Sequence, residues 1–326
     1  MGAEMRRTSN RRAGRIHCVG IAVVDALSGP LAEYPTPGTK PQVNTKRITF
    51  AAGGGAVNSA GALARMGLRS GVFAKIGKDP NGAFLLGELR GAGVATDGMR
   101  VSPTEATPFT FVGIHPSGDR TFIHTPGTNL SFSPDDLAKD KLFDCDFLLF
   151  QDVWVLPRLE GAPGAELLRE ARQRGIVTFL DECYGLGPDK AVLETMAPFC
   201  DHLMPSYDDL RVIYPRMDEE RMAEHLLALG AGHVIIKMGA RGCYVAAAGQ
   251  RRHIAPLRAR VLDATGAGDC WDAGYIAGLA RGRDIVAAAM TGNAAAAFCL
   301  EASGGSAGVP KYRDIERRAD AGCVGG

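Results

Sequence analysis

Short apolar runs alternate with longer segments of helical periodicity along most of the chain. A short apolar run between polar positions is typical of a strand that is buried on both faces of a parallel sheet. Strands and helices that alternate in this way indicate an α/β domain. The apolar runs are residues 18–24, 71–76, 147–150, 176–180, 202–204 and 233–238.

The segments between these runs carry apolar residues three and four positions apart, as one face of a helix requires. This spacing is clear at residues 57–66, 84–91 and 165–174. A length of 326 residues fits one large core with a small appendage. A glycine stops each helical pattern and is predicted to terminate the helix; these glycines are Gly67, Gly91 and Gly175.

Two stretches interrupt the alternation of strands and helices. Residues 30–50 are rich in proline and threonine, and residues 107–125 place β-branched and aromatic residues on both sides of a turn at 116–119. The second pattern predicts a hairpin. We expect the two stretches to pair into a small β lid over one end of the domain, where a lid can exclude water from a reacting centre.

Charge and composition exclude several classes of function. The chain has 37 basic and 36 acidic residues, so no overall field attracts nucleic acid or an anionic membrane. Its eight cysteines form no C-x-x-C pair, which favours reduced thiols in a cytoplasmic protein. No apolar run reaches the roughly 20 residues that cross a bilayer. Residues 1–15 are predicted to be a flexible basic tail.

The run Asp263-Ala-Thr-Gly-Ala-Gly-Asp269 ends a loop and precedes a helical pattern. Unpaired amides at the start of a helix, together with the helix dipole, form a site for phosphate. Asp269 would stand beside these amides as a general base for an attacking hydroxyl, and the dipole is expected to keep it ionised. The alternative is an aspartate that only caps the helix.

A second glycine-rich run, Gly53-Gly54-Gly55-Ala-Val-Asn58, also opens a helical pattern. Glycines let a backbone approach a ligand closely, and the Asn58 amide can both donate to and accept from a polyol. A tight turn without a ligand is an equal alternative. Asn58 stands where a dinucleotide fingerprint needs glycine, and the chain has no G-x-x-x-x-G-K-[ST] phosphate loop.

Together, in this order and separation, the two runs resemble the N-terminal and C-terminal signatures of the ribokinase or PfkB family of carbohydrate kinases. The resemblance extends over roughly residues 16–310. It implies a ribokinase-like three-layer α/β/α sandwich with a mostly parallel central sheet and a small β lid. We expect the kinase domain at residues 16–312 and a C-terminal tail at 313–326. The implied reaction transfers the γ-phosphate of ATP to a hydroxyl, with Mg²⁺.

The resemblance also assigns roles to individual residues. Asp269 is expected to be the base, and the segment Gly266, Ala267 and Gly268 the anion hole. The expected acceptor ligands are Asp25, Gly53, Gly54, Asn58 and Asn129, although Asn129 could equally serve only in a turn. The expected nucleotide contacts are Lys237, Gly239, Gly242 and Asn293, although the two glycines could merely shape a hairpin.

The resemblance is weaker at the metal site. Relatives carry Asn-x-x-Glu near Mg²⁺, whereas this chain has Ser206 and Asp209, so these two residues are expected to act on Mg²⁺ through water. Asp209 could instead be a surface acid at the start of a helix. Asp263 and Thr265 are expected candidates for a monovalent cation, K⁺. Ribokinase has lysine at the position of Gly55, so ribose is not the default acceptor.

Three functions follow from these patterns. The first is a kinase for a sugar or sugar acid, and the second is a nucleoside kinase of the same family. The third is a binding or regulatory protein that kept the fold and lost phosphoryl transfer. The unpaired edge of a lid sheet predicts a homodimer through the lid, with a monomer as the alternative.

Overall fold

A computed structural model describes residues 14–31, 33–116, 120–183, 185 and 187–323. Its strands are β1 (Arg15–Val19), β2 (Val23–Ser28), β3 (Ile48–Gly53), β4 (Arg69–Phe73), β5 (Lys75–Gly77), β6 (Arg100–Ser102), β7 (Phe109–Ile114), β8 (Arg120–Thr125), β9 (Phe147–Val153), β10 (Val177–Glu182), β11 (His202–Leu203), β12 (His233–Lys237), β13 (Cys243–Ala247) and β14 (Gln250–Ile254). Its α-helices are α1 (Gly55–Arg65), α2 (Pro80–Gly91), α3 (Lys139–Leu142), α4 (Ala162–Gln173), α5 (Lys190–Met196), α6 (Tyr207–Ile213), α7 (Glu219–Ala228), α8 (Ala267–Ala280), α9 (Ile285–Leu300) and α10 (Tyr312–Cys323).

The central sheet has the strand order β14-β13-β12-β11-β10-β9-β1-β4. The neighbouring strands β4, β1, β9, β10, β11 and β12 pair in parallel, and β13 and β14 add an antiparallel edge. Alternating side chains along the buried strands enter two separate cores, as Leu148 and Leu149 do. Helices α1, α2, α8, α9 and α10 cover one core and α3 to α7 the other. The predicted three-layer sandwich with a mostly parallel sheet is confirmed.

A second sheet has the order β3-β2-β7-β8. Strands β7 and β8 pair antiparallel, which confirms the two arms of the predicted hairpin, whereas residues 117–119 of its predicted turn lie outside the described residues. Strand β3 pairs with β2, and β2 pairs in parallel with β7. The small sheet thus joins residues from both interrupting stretches, although most of residues 30–47 lies outside its strands.

The apolar run at residues 18–24 was predicted to be one strand, but the structure divides it between two strands. Strand β1 ends at Val19 and remains in the central sheet, whereas β2 starts at Val23 and belongs to the second sheet. A continuous apolar run does not reveal this break, because residues on both sides of it are buried. The run at 71–76 is divided in the same way between β4 and β5.

The predicted boundaries change at several points. The segment 313–326, predicted as a tail, contains most of α10, whose Ile315 and Ala319 are fully buried against the first core. Gly91 is the last residue of α2, and Gly93 has the left-handed φ of +77° instead. The predicted basic tail lies outside the described residues up to position 13. Within the described ranges, no helix is long and apolar enough to cross a membrane.

Candidate active site

A cavity of about 1280 Å³ lies between the second sheet and the loops that follow the parallel strands. Ligands of α/β proteins bind at these carboxyl ends of strands. Most of the predicted site residues line this cavity, namely Asp25, Gly54, Asn58, Asn129, Ser206, Asp209, Lys237, Gly239, Gly242, Thr265, Gly266, Ala267, Gly268, Asp269 and Asn293. Gly53 and Asp263 do not line it. The structure therefore gathers residues from both glycine-rich runs.

Helix α8 begins at the centre of the cavity. Gly266 is its N-cap and has φ +73°, a left-handed conformation that favours glycine. Ala267 and Gly268 follow in the first turn, where backbone amides have no partner within the helix. The dipole of this 14-residue helix adds partial positive charge at that point. This geometry suits an anion such as a phosphate.

Asp269 lies in the same first turn and is held by two amides. Asn58 Nδ2 donates to Asp269 Oδ2 at 2.8 Å, and Gln151 Nε2 donates to Oδ1 at 3.4 Å. Ser59 Oγ donates to the Asp269 carbonyl at 3.0 Å, which fixes α1 to α8. Burial raises the pKa of Asp269, and the bond from Asn58 opposes that rise. Burial therefore acts against the dipole, which was expected to keep this carboxylate ionised.

Asp25 lies on the inner face of the second sheet, in the same cavity. Burial raises its pKa to about 6, while a hydrogen bond from Thr110 and the charge of Arg120 oppose the rise. A side chain at Gly53 would place its Cβ 2.2 Å from Asp25 Oδ2, so glycine is required there. Gly53 thus makes room for Asp25. Asn129 is buried beside the same end of the cavity.

Lys237 was predicted to contact the nucleotide, but its ammonium group is paired within the protein. Its Nζ lies 2.8 Å from Asp181 Oδ2 and 3.1 Å from Asp272 Oδ1. It also lies 3.6 Å from the position that a Cβ on Gly268 would take. Burial lowers the pKa of Lys237, but the carboxylates of Asp181 and Asp272 outweigh it and raise the pKa overall. The ammonium therefore stays charged beside the start of α8.

The predicted metal residues belong to a larger acidic group. Ser206 donates its backbone N–H to the carboxylate of Glu182. Its backbone also forms an isolated parallel β-bridge with Lys237. Asp181 Oδ1 and Glu182 Oε2 are buried and have no hydrogen-bond partner among the described residues. Burial raises the pKa values of both Glu182 and Asp209. Unpaired carboxylate oxygens at a cavity wall fit a hydrated Mg²⁺.

The described residues do not form a complete cage for a metal ion. Among the side chains described, no three of His, Cys, Asp or Glu converge closely enough to hold a metal ion. Mg²⁺ commonly uses one or two carboxylates, several waters and substrate phosphates. The residues present fit that arrangement.

Several polar residues of the site were not found from the sequence. Gln151 and Asp152 follow the apolar run 147–150, and Asp181 and Glu182 follow the run 176–180. Asp152 accepts backbone hydrogen bonds from Ile21, Gly55 and Ala56 at 2.8, 3.1 and 3.3 Å. Burial raises its pKa to about 7. Polar residues directly after a buried apolar run were the available signal.

The far end of the cavity is formed by the β12–β13 turn and by α9. Gly239 and Gly242 stand in that turn, which joins two antiparallel strands. Asn293 Oδ1 accepts from Trp271 Nε1 at 2.7 Å, and Asn293 Nδ2 donates to the Ala255 carbonyl at 2.9 Å. Protein groups therefore use both ends of the Asn293 amide. Asn293 nevertheless lines the cavity.

Arg120 of β8 changes the interpretation of the expected cation site. Its guanidinium group pairs with Asp263 and donates to Thr265 Oγ1. Asp263 also accepts from the backbone N–H of Thr265 at 2.7 Å and of Gly304 at 3.2 Å. The two side chains therefore do not fit a monovalent cation in this arrangement. They join the second sheet to the segment that leads into α8.

Comparison with known proteins agrees with this geometry. Residues 14–312 match the pfkB family of carbohydrate kinases. This chain belongs to that family. As a pfkB family kinase, it is an ATP-dependent phosphotransferase with an alcohol group as acceptor.

Named relatives of this pfkB family kinase include two sugar kinases. Ribokinase of Staphylococcus aureus is 26% identical over 292 residues, which cover 87% of this chain and 93% of that protein. Fructokinase of Rhizobium leguminosarum is 30% identical over 270 residues, 81% of this chain and 79% of that protein. Arabidopsis thaliana ribokinase, complexed with ribose and ATP, superposes with a TM-score of 0.81 at 22% identity, over 94% of this chain and 99% of that chain.

Proposed function

We propose that this kinase transfers the γ-phosphate of ATP to a hydroxyl of a sugar or sugar acid, with Asp269 as general base. The observation that carries the proposal is the position of Asp269. Its carboxylate lies in the first turn of α8, next to the anion-binding amides, and is hydrogen-bonded to Asn58. A base and an anion site side by side are what phosphoryl transfer to an alcohol requires.

The proposed reaction uses residues of the lid sheet, of helix α1 and of the start of α8. Asp25 and Asn58 bind hydroxyls of the acceptor and direct one of them toward the phosphate. The acceptor oxygen forms a bond to the γ-phosphorus while the bond from that phosphorus to the bridging oxygen of ADP breaks. The hydroxyl proton passes to Asp269. The amides of residues 266–268 stabilise the negative charge on the transferring group.

Mg²⁺ is part of the proposal because unpaired carboxylate oxygens face the site. Asp181, Glu182 and Asp209 would hold it through water, with Ser206 beside them. When bound, the ion supplies charge neutralisation for the phosphates. A K⁺ ion would have to use main-chain carbonyls of residues 263 and 265, because Arg120 occupies the side chains.

Asp269→Asn tests the base directly. The variant keeps the size of the side chain but cannot accept the proton, so kcat should fall roughly 10²- to 10⁴-fold with KM little changed. Asp218→Asn is the matched control, since Asp218 is an exposed cap of α7 remote from the cavity. The rate of ADP formation in the presence of ATP, Mg²⁺ and a sugar gives the activity of both variants. Normal turnover by Asp269→Asn would show that the base is another group.

The acceptor separates this proposal from its alternatives. Asp25, Thr110 and His124 on the lid face suit a polyol, whereas Phe122 is the aromatic side chain that this face offers to a nucleobase. A panel of sugars, sugar acids and nucleosides therefore tests the proposal. Turnover of nucleosides alone would identify a nucleoside kinase. Binding without turnover of any acceptor would identify a regulatory protein.

Two further proposals concern the cell and the assembly. Six cysteines with described side chains, Cys18, Cys145, Cys200, Cys243, Cys270 and Cys299, form no disulfide, which supports a reducing cytoplasm. Exposed apolar residues on the outer face of the lid sheet support a homodimer through the lid.

A further inference from the structure

A chain of buried polar side chains continues behind Asp269, away from the cavity. Gln151 Nε2 lies 3.4 Å from Asp269 Oδ1 and 3.3 Å from Asp272 Oδ2. Lys237 Nζ then lies 3.1 Å from the other oxygen of Asp272. Gln151 is 1% exposed and Asp272 is fully buried, and neither lines the cavity. Neither residue can touch a substrate, yet both are connected to the base.

We propose that Gln151 and Asp272 are positioning residues for Asp269, and that Lys237 anchors Asp272. The proposal rests on the proposed role of Asp269 as general base. It adds a function for three residues that the chemistry of the reaction does not itself require.

The amide of Gln151 can serve both carboxylates at once. A primary amide carries two hydrogens, so one can point to Asp269 and the other to Asp272. The reverse orientation would turn Gln151 Oε1 toward two carboxylates and is repulsive. Because Asn58 holds the second oxygen of Asp269 at 2.8 Å, two different amides fix the plane of the base.

Asp272 and Lys237 determine where the Gln151 amide lies. Asp269 and Asp272 are three residues apart on α8, so they share one face of the helix. A fully buried carboxylate needs a charged or hydrogen-bonded partner. Lys237 provides it, and is held on its other side by Asp181 at 2.8 Å. Strands β9, β10 and β12 are thereby connected to the base on α8.

Such a connection matters because proton transfer depends on geometry. A base must present a lone pair to the acceptor hydroxyl at hydrogen-bond distance. A carboxylate that rotates between two orientations is in the right one for only part of the time. Displacement of about 1 Å at a reacting centre can cost about 100-fold in rate.

Two variants remove different parts of the connection. Gln151→Met keeps the side-chain length but has no donor for either carboxylate. Asp272→Asn keeps the shape and an acceptor for Gln151 but removes the negative charge. For each variant we expect kcat to fall roughly 10- to 100-fold, with the KM values for ATP and acceptor nearly unchanged.

The pH profile separates positioning from simple stability. Loss of the Gln151 donor disfavours the ionised form of Asp269, so its pKa rises and the acidic limb of kcat moves to higher pH. Asp272→Asn weakens the acceptor that holds the other hydrogen of the Gln151 amide, so the Gln151 donor is held less firmly on Asp269 and the limb again moves to higher pH. A purely structural role would lower the free energy of unfolding without moving the limb.

Thr291→Val is the matched control. Thr291 is also fully buried, and its hydroxyl donates to the Gly274 carbonyl of α8 at 2.9 Å without touching the chain behind Asp269. We expect it to change stability in urea but not the pH profile. The stability of all variants is first compared by urea unfolding. If only one of Gln151→Met and Asp272→Asn folds, the kinetics of that variant alone decide the test.

The outcomes are distinct. If Gln151→Met and Asp272→Asn keep the wild-type kcat and pH limb, the inference is overturned while the base can still be Asp269. If neither variant folds, their role is structural and the inference is likewise overturned. If Asp269→Asn itself is fully active, the proposed function fails first. A reduced kcat together with a shift of the acidic limb to higher pH supports the inference.

Discussion

At the scale of single residues, Asp25 is where pH should act on acceptor binding. Burial raises its pKa to about 6, so the carboxyl group is ionised at pH 7 and becomes protonated below pH 6. Protonation replaces an ionised hydrogen-bond acceptor by a neutral group. We therefore expect the KM for the acceptor to rise as pH falls from about 7 to 5.

Asp25→Asn provides the comparison. At pH 7 its KM for the acceptor should be roughly tenfold or more above wild type, because a hydrogen bond to a charged group is lost. Its KM should no longer depend on pH over this range. Initial rates at several acceptor concentrations between pH 5 and 8 measure both effects. A wild-type KM that is constant across this range would contradict the assignment.

The residues that the sequence predicted and those it did not differ in whether they stand in a recognisable local sequence pattern. Asp269 and Asn58 stand in glycine-rich runs, which carry a local signal. Gln151 reaches Asp269 across 118 positions, and nothing near Gln151 in the sequence indicates that contact. Lys237 was placed at the site, but its pairing with two carboxylates depends on the packing of strands β10 and β12 and helix α8.

At the scale of secondary-structure elements, Arg120 joins strand β8 of the lid to the segment before α8. Its side chain is 17% exposed and that of its partner Asp263 is 8% exposed. Without the guanidinium group, Asp263 would keep a largely buried charge and lose its ion-pair partner. We expect Arg120→Met to increase hydrogen exchange in residues 120–125 and to lower kcat roughly tenfold, because the lid no longer closes on the phosphate site.

The double variant identifies the contact responsible. If Arg120 acts through Asp263, then Arg120→Met combined with Asp263→Asn should be no worse than the more damaging single variant. Lys40→Met is the matched control. Lys40 also forms an ion pair, with Glu33, but both side chains are 52% exposed, so the loss of that pair should have little effect. Additive losses in the double variant would contradict a direct role of this ion pair.

The elements themselves could be predicted where the periodicity is strong. Helix α4 and the hairpin of β7 and β8 lie where the pattern indicated. The division of residues 18–24 between two sheets could not, because burial on both sides of Gly20 hides the change of partner. Helix α10 was missed because it packs only two fully buried side chains, Ile315 and Ala319, among exposed charged residues.

At the scale of the whole molecule, the lid sheet has two unlike faces. Its inner face lines the cavity with Asp25, Thr110 and Val112. The strand register places Phe50, Phe111 and Ile123 together on the outer face. Phe50 is 58% exposed and Ile123 is 64% exposed, so this face presents apolar surface to solvent. Exposed apolar surface of this kind commonly marks an interface.

A second copy of the chain is the proposed occupant of this outer face. A two-fold axis would place the same apolar residues of both lids against each other. We expect light scattering during gel filtration to give twice the mass of one chain. Ile123→Lys should restore the single mass, because it would bring two like charges together at the axis.

Val212→Lys is the matched control: Val212 is 53% exposed but lies on α6, remote from the lid. A single-chain mass for the wild-type protein, or an unchanged double mass in Ile123→Lys, would show that the lid face is not the interface.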